Sequence, residues 1–272
     1  MKLFIYVLIL SFSALVTAEG RDTWAQIIRK SATEPEINRV PPNNQPSGWN
    51  TIENKRPSPK NGGRLRDCRD NYNMDYLLLS VQWAPGFCRT SPTQCKRMEK
   101  RHFTIHGMWP TLKNRNNISF CCFNDSFDVS LLEPIRKDLQ EYWPSLLLAK
   151  NEILWSHEWL KHGTCAKNVS PLHGELNFFR TTVKGMKDMR ILETLKSNGI
   201  IPGPDKVYDS VVIQNVLRQV HHGRVMINCD LEHDNRVPVL TGIGFCFDTS
   251  LNPTDCRQSA TRCTKDVRFL AE

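Results

Sequence analysis

Apolar and polar positions divide the chain into three stretches. Residues 3–16 are almost wholly apolar, residues 19–66 carry few periodic apolar positions, and from about Cys68 the pattern is that of a folded domain. Within that domain the run Tyr76-Leu77-Leu78-Leu79-Ser80-Val81-Gln82-Trp83 predicts a buried strand, and the alternation in His102-Phe103-Thr104-Ile105-His106 predicts another. Ser130 with Glu133 resembles a capping box opening a helix through Leu131, Leu132, Ile135 and Leu139 to about Tyr142, with Pro144 just beyond. Two longer helices are expected near 175–197, ended by Gly199, and 209–221, ended by Gly223. Val225 to Cys229 and Val237 to Phe247 read as late strands. The expected fold is α+β: one disulfide-stabilised domain over 67–272, with several helices packed on an antiparallel sheet.

The two leading stretches read differently. Lys2, the apolar run to Val16 and the small residues Val16-Thr17-Ala18 fit a cleaved signal peptide over residues 1–18. The run is short for a bilayer span. Residues 19–66 hold six of the sixteen prolines, in runs such as Pro41-Pro42-Asn43-Asn44-Gln45-Pro46. Such a segment buries too little surface to offset the ordering of its backbone, so it is expected to be a flexible basic extension or a pro-segment. Trp24-Ala25-Gln26-Ile27-Ile28 could form a short helix within it.

Export agrees with the cysteines. The ten are Cys68, Cys88, Cys95, Cys121, Cys122, Cys165, Cys229, Cys246, Cys256 and Cys263, an even set expected to form disulfides in an oxidising compartment. No C-x-x-C pair is present, and the adjacent Cys121 and Cys122 are poorly spaced as zinc ligands. Asn117, Asn124 and Asn168 open glycosylation sequons, whereas Asn252 is excluded by Pro253. The expected location is secreted and extracellular, with an endolysosomal compartment as the alternative, and no later stretch is apolar enough to span a membrane.

The formal charge of +8 suggests a polyanionic partner. Its distribution weakens that argument. Residues 19–66 carry nine Lys/Arg against five Asp/Glu, and once Lys2 is removed with the signal only +3 remains for 67–272.

Chemistry is concentrated in two segments. In Trp155-Ser156-His157-Glu158-Trp159-Leu160-Lys161-His162-Gly163-Thr164-Cys165, a helix through His162 makes His157 and Lys161 i,i+4 neighbours, and Glu158 and His162 likewise. At ~100° per residue the four fall within a sector of about 140°. Trp155 and Trp159 are left to pack elsewhere, Gly163 to end the helix, and Cys165 to tie that end down. Two imidazoles, a carboxylate and an ammonium suit phosphodiester cleavage. One histidine takes the proton of a ribose 2′-OH, a second protonates the departing 5′-oxygen, and both titrate near working pH. The ammonium stabilises charge growing on the phosphate oxygens. One His/Glu/Lys pair on a helix would be an ordinary solvated face; four together, flanked by two tryptophans and closed by Gly163-Thr164-Cys165, are not. The second segment is Phe103-Thr104-Ile105-His106-Gly107-Met108-Trp109-Pro110, with His106 at a strand end, Gly107 allowing close approach and Trp109 offering a flat face to a base.

These two segments resemble the active-site segments of the ribonuclease T2 family, in the expected order and about fifty residues apart. Leu79-Ser80-Val81-Gln82-Trp83 is similar to the family's first strand, and Cys88 with Cys95 to its small loop; the likeness runs roughly from Tyr76 to Cys263. The resemblance implies His106 as general acid, His162 as general base, Glu158 and Lys161 as transition-state stabilisers and His157 as a phosphate contact. Trp109 would stack on the base, and Gln82 would reach the neighbouring one. It also implies a monomer acting on RNA with no metal or other cofactor, making a 2′,3′-cyclic phosphate and then a 3′-phosphate. The implied disulfides are Cys88–Cys95, Cys121 or Cys122 to Cys165, Cys229–Cys263 and Cys246–Cys256, with Cys68 on the remaining member of the adjacent pair. Two positions depart from the pattern. Met108 replaces the usual leucine, and Thr111 stands where many members have aspartate, which leaves base preference open. The extension before Cys68 has no counterpart in the resemblance.

Two other readings compete. His102-Phe103-Thr104 and His162-Gly163-Thr164 are both H-x-T, the signature of two-histidine phosphoesterases, which would use His102 in place of His106 and leave Glu158 and Lys161 unexplained. Alternatively the chain is a secreted binding factor whose basic arm over 19–66 holds RNA, a glycan or a cell-surface partner.

Overall fold

The computed structural model describes residues 73–97, 101–113, 118–122, 125–232, 235–257 and 263–271. The signal peptide, the extension, Cys68, Asn117 and Asn124 lie outside the described residues; Asn168 lies inside them and is exposed.

Strand β1 (Tyr76–Trp83) forms over the apolar run and pairs antiparallel with β2 (Phe103–Thr111) on one side and β5 (Val239–Phe247) on the other. β2 is longer than its alternation predicts, because it continues through Gly107-Met108-Trp109-Pro110 to Thr111. β5 in turn carries β4 (Met226–Asp230) and the short β6 (Pro253–Thr254), and β7 (Asp266–Arg268) joins it to β3 (Val207–Asp209). The sheet is mixed rather than purely antiparallel: the returning C-terminal segment meets β5 in parallel at Val239 and Arg268. β2 forms one edge.

Alternation on β1 separates two faces. Leu77, Leu79, Val81 and Trp83 join the main core, packed with residues of the helices such as Trp155, Trp159, Phe178 and Leu217. Each such side chain, when fully buried, contributes roughly 1.5–3 kcal/mol. Tyr76 and Leu78 face the other way and pack with Trp109, Met226 and the Cys246–Cys256 disulfide. Ser80 and Gln82 follow on that second face by the period of two.

The helices depart from expectation in instructive ways. Helix α1 (Ala84–Thr90), not foreseen, carries Pro85 in its first turn and lies on β5. Gly86 permits that approach, since a Cβ there would sit 1.9 Å from the Leu240 carbonyl oxygen. The helix expected from Ser130 to Tyr142 is a 3-10 turn (Val129–Ile135) running into α2 (Arg136–Tyr142). Its cap is Asp128, which accepts from the Ser130 N–H, while Glu133 turns to Arg136. Pro134 inside the turn has no N–H for an α-helical bond. The catalytic candidate helix, α3, spans Asn151–Lys161, one residue short of expectation, with His162 as its C-cap.

The single helix expected over 175–197 is two, α4 (Glu175–Met189) and α5 (Ile191–Ser197), broken at Arg190 in the left-handed region (φ 45°). The break lets Ile191 and Leu195 reach the core. Helix α6 (Ser210–His221) is capped by the Asp209 carboxylate and ended by His222 at φ 59°, not by Gly223. Gly223 answers a packing need instead: a Cβ there would lie 2.5 Å from the Thr254 carbonyl oxygen.

Among the described residues four disulfides are formed: Cys88–Cys95, Cys121–Cys165, Cys229–Cys263 and Cys246–Cys256. Cys121 is thus the partner of Cys165, and among the described residues no cysteine is free. No helix of the described residues is long and apolar enough to cross a membrane.

Candidate active site

The site forms where α3 meets the edge strand. Between Ser80 and Val81 the pairing of β1 with β2 slips: Ser80 opposes Gly107 and Val81 opposes Ile105, so His106 is an unpaired bulge residue. A bulge changes the parity of the strand. Ile105 and Met108, three apart, therefore both enter the core, while His106 and Trp109, also three apart, remain half-buried on the opposite face. The bulge residue has no partner on β1, and its carbonyl is taken by the Trp143 indole N–H at 2.9 Å. Trp143 is held in turn by Trp155 of α3, whose indole N–H donates to the Trp143 carbonyl at 2.7 Å.

Helix α3 presents the other groups. Trp155 and Trp159 are buried in the core, as the helical spacing requires, and Glu158 is only 1% exposed. Glu158 Oε2 accepts from the Trp109 indole N–H at 2.9 Å. This approach depends on Gly107, where a Cβ would lie 2.1 Å from Glu158 Oε2 and 2.2 Å from Trp109 Nε1. Trp109 meets both histidines: its ring centroid is 5.1 Å from that of His106, edge-on, and 5.5 Å from that of His162.

His162 is positioned by the helix end. Its N–H donates to the Glu158 carbonyl, and its Nδ1 lies 3.4 Å from the Ile118 carbonyl oxygen. The segment carrying Ile118 bridges the two elements, with Ile118 N–H on Pro110 O and Phe120 N–H on Lys161 O, and Cys121–Cys165 fastens it. Gly163 keeps the helix end compact, since a Cβ there would run into the Trp159 ring at 2.3 Å.

Electrostatics follow from this enclosure. Burial is the main cause that lowers His106 to about 4, with the charges of His157 and Lys161 adding to it. His162 is lowered to about 3, by burial first and Lys161 next. His157 is shifted down by burial and by Lys161. Glu158 moves the other way, raised to about 7 by burial, against the indole hydrogen bond and the Lys161 charge that favour its anion.

The structure thus brings His106, Trp109, Glu158 and His162 into contact, with His157 and Lys161 close enough to act on the imidazoles. Gln82 lies on the same face of the sheet, paired with Thr104 and Gly242. Thr111 is buried with its hydroxyl donating to the Trp109 carbonyl. His102 lies apart from the group: its Nε2 is 3.1 Å from the Glu141 carbonyl oxygen, and its ring rests on Tyr142. The H-x-T reading therefore loses its first histidine. The sequence reading missed Trp143, whose role is visible only once the bulge exposes a carbonyl that needs a donor.

Two imidazoles and a neutralisable carboxyl around one indole are the equipment of a general acid–base catalyst. The ribonuclease T2 family model matches residues 74–256. Ribonuclease S-6 of Nicotiana alata is 31% identical over 193 residues, covering 69% of this chain and 83% of its own length. Ribonuclease T2 of Danio rerio is 28% identical over 185 residues, covering 68% and 73%. Among solved structures, a mutant of RNase MC1 in complex with 5′-GMP has a TM-score of 0.65 at 26% identity, over 72% of this chain and 100% of that one. The chain belongs to the ribonuclease T2 family, a family of endoribonucleases.

Proposed function

We propose that the protein is an exported endoribonuclease that cleaves single-stranded RNA by acid–base transesterification without a metal. The observation that carries the mechanism is the pairing of His106 and His162 on either side of one indole, at centroid distances of 5.1 and 5.5 Å from it. In the first step neutral His162 takes the 2′-OH proton as the 2′-oxygen bonds to phosphorus. Protonated His106 gives its proton to the leaving 5′-oxygen, and a 2′,3′-cyclic phosphate forms. In the second step the roles reverse and water opens the ring to a 3′-phosphate.

Burial holds both imidazoles neutral in the free protein, and a bound phosphodiester anion favours their charged forms. Lys161 stabilises the growing phosphoryl charge, and His157 contacts the phosphate. Glu158, with its carboxyl raised to about 7, is protonated at acid pH. It then offers an O–H to a phosphoryl oxygen rather than an opposing charge. Complexes with 5′-GMP in a relative support a nucleotide-sized site. Trp109 and Gln82 are the base contacts of this reading. Residues 1–18 act as the signal, 19–66 as an extension apart from the catalytic domain over 67–272, and Asn117, Asn124 and Asn168 as glycan acceptors on a monomer.

The test is incubation of the purified chain with single-stranded RNA and single-stranded DNA, followed by identification of the new termini. Cyclic phosphate ends on RNA, intact DNA and no inhibition by a chelator are expected. Efficient DNA cutting or chelator inhibition would overturn the reading, and an intact chain that binds cells without cutting RNA would favour the binding-factor alternative.

A further inference from the structure

We infer that Trp109 is a positioning residue of the reaction, holding the Glu158 carboxyl and both imidazoles in register, and not only a surface on which a base rests. The inference rests on the proposed reading of the site and deepens it.

Three contacts converge on the one indole. Its N–H donates to Glu158 Oε2 at 2.9 Å, its ring meets His106 edge-on, and the same ring lies against His162 at a 37° tilt. The indole is itself anchored by packing against the cluster of Tyr76, Leu78 and the Cys246–Cys256 bridge, on the sheet face opposite the main core. A group that touches the acid, the base and the carboxyl together, and is fixed from behind, sets their mutual distances.

The carboxyl needs such a holder. Glu158 is 1% exposed, and its indole bond is the one hydrogen bond to its side chain among the described residues. A buried carboxyl without a partner would carry a desolvation penalty and be free to rotate away from the phosphate. The backbone is shaped for this bond as well. At Gly107 any Cβ would overlap both the carboxylate oxygen and the indole nitrogen, so the strand lacks a side chain where the two meet. A base platform would need only the ring face. The buried N–H, its acceptor and the glycine beneath them are explained by positioning.

The two roles separate on substrates with and without a base. Trp109→Phe keeps an aromatic ring and removes the N–H. The wild-type chain, Trp109→Phe, Glu158→Gln and the double variant are assayed on a uridine 3′-phosphodiester and on the matching abasic ribose 3′-phosphodiester. Positioning predicts that Trp109→Phe lowers kcat at least tenfold on both substrates, with KM changed less than threefold. It also predicts that the double variant is little worse than Glu158→Gln alone, because the indole acts largely through that carboxyl. In the free protein, an NMR titration of the Glu158 carboxyl should show a higher midpoint in Trp109→Phe, a shift that needs no substrate. A loss confined to the base-bearing substrate and expressed in KM would overturn the inference, as would an unmoved Glu158 titration. Wild-type protein inactive on both substrates would count against the proposed function, leaving the titration to decide this role. Circular dichroism of each variant separates loss of fold from loss of positioning.

Discussion

The Trp143 indole N–H holds the carbonyl of His106, the residue that the bulge leaves without a cross-strand partner. The bond fixes the backbone from which the proposed acid projects. Trp143→Phe keeps the ring in the core but leaves that carbonyl without its donor. A cost of about 1–3 kcal/mol is expected in urea unfolding. Turnover should fall more than that loss alone explains, because His106 is free to re-aim. Unchanged kcat in a destabilised variant would show that the bond is structural only.

The pH dependence of cleavage follows from the two lowered histidines. The proposed mechanism requires His162 neutral and His106 protonated in the productive form, with values of about 3 and 4 in the free protein. A profile of kcat/KM should therefore rise to a maximum in the acid range and decline toward neutrality, with both limbs belonging to the coupled pair. Glu158 keeps its proton through that range. An optimum above neutral pH would be incompatible with this arrangement.

Stability carries a separate pH signature, at Glu175. This carboxyl at the start of α4 is 7% exposed, accepts from the Asp128 N–H and is raised to about 8, by burial first and then by the charges of Asp128 and Asp125. The folded state thus holds its proton more tightly than the unfolded chain. Its contribution is complete below the ordinary value of 4.5 and is lost as pH rises through about 8. Each unit of difference corresponds to about 1.4 kcal/mol. Glu175→Gln should gain stability relative to the parent as pH increases across this window. Denaturant midpoints of both proteins that run parallel from pH 4 to 9 would refute it.

Two disulfides of similar span allow a matched comparison. Cys121–Cys165 spans 44 residues and ties the Ile118 segment to the end of α3, whereas Cys229–Cys263 spans 34 and lies on the main core away from the imidazoles. Replacing either pair with alanine should cost about 2–4 kcal/mol. Only loss of Cys121–Cys165 should also reduce kcat at temperatures where both variants are folded. Equal activity in the two variants would remove the bridge from any role in placing His162.

How much of this could be read in advance depended on where the determining contact lay. β1 was legible to the residue because its apolar run from Tyr76 to Leu79 passes into alternation up to Trp83, and the polar face of α3 because its i,i+4 spacing is local. The second half of β2 was hidden by its bulge, which breaks the alternation that marks a half-buried strand. The break at Arg190 has no glycine or proline to announce it. The bond from Trp109 to Glu158 joins residues 49 apart in sequence. Neither motif contains that bond; it exists only when α3 lies against the strand edge. The choice of Cys121 over Cys122 depends likewise on the path of the Ile118 segment beside α3.

The unpaired residue in β2 also limits how this protein can change. Because one extra residue sets the parity of everything after it, loss or gain of a single residue between Ile105 and Met108 would exchange the two faces of the strand. Met108 would leave the core and Trp109 would enter it, separating the indole from both imidazoles. Substitutions can adjust this strand one side chain at a time, but its length behaves as a reading frame.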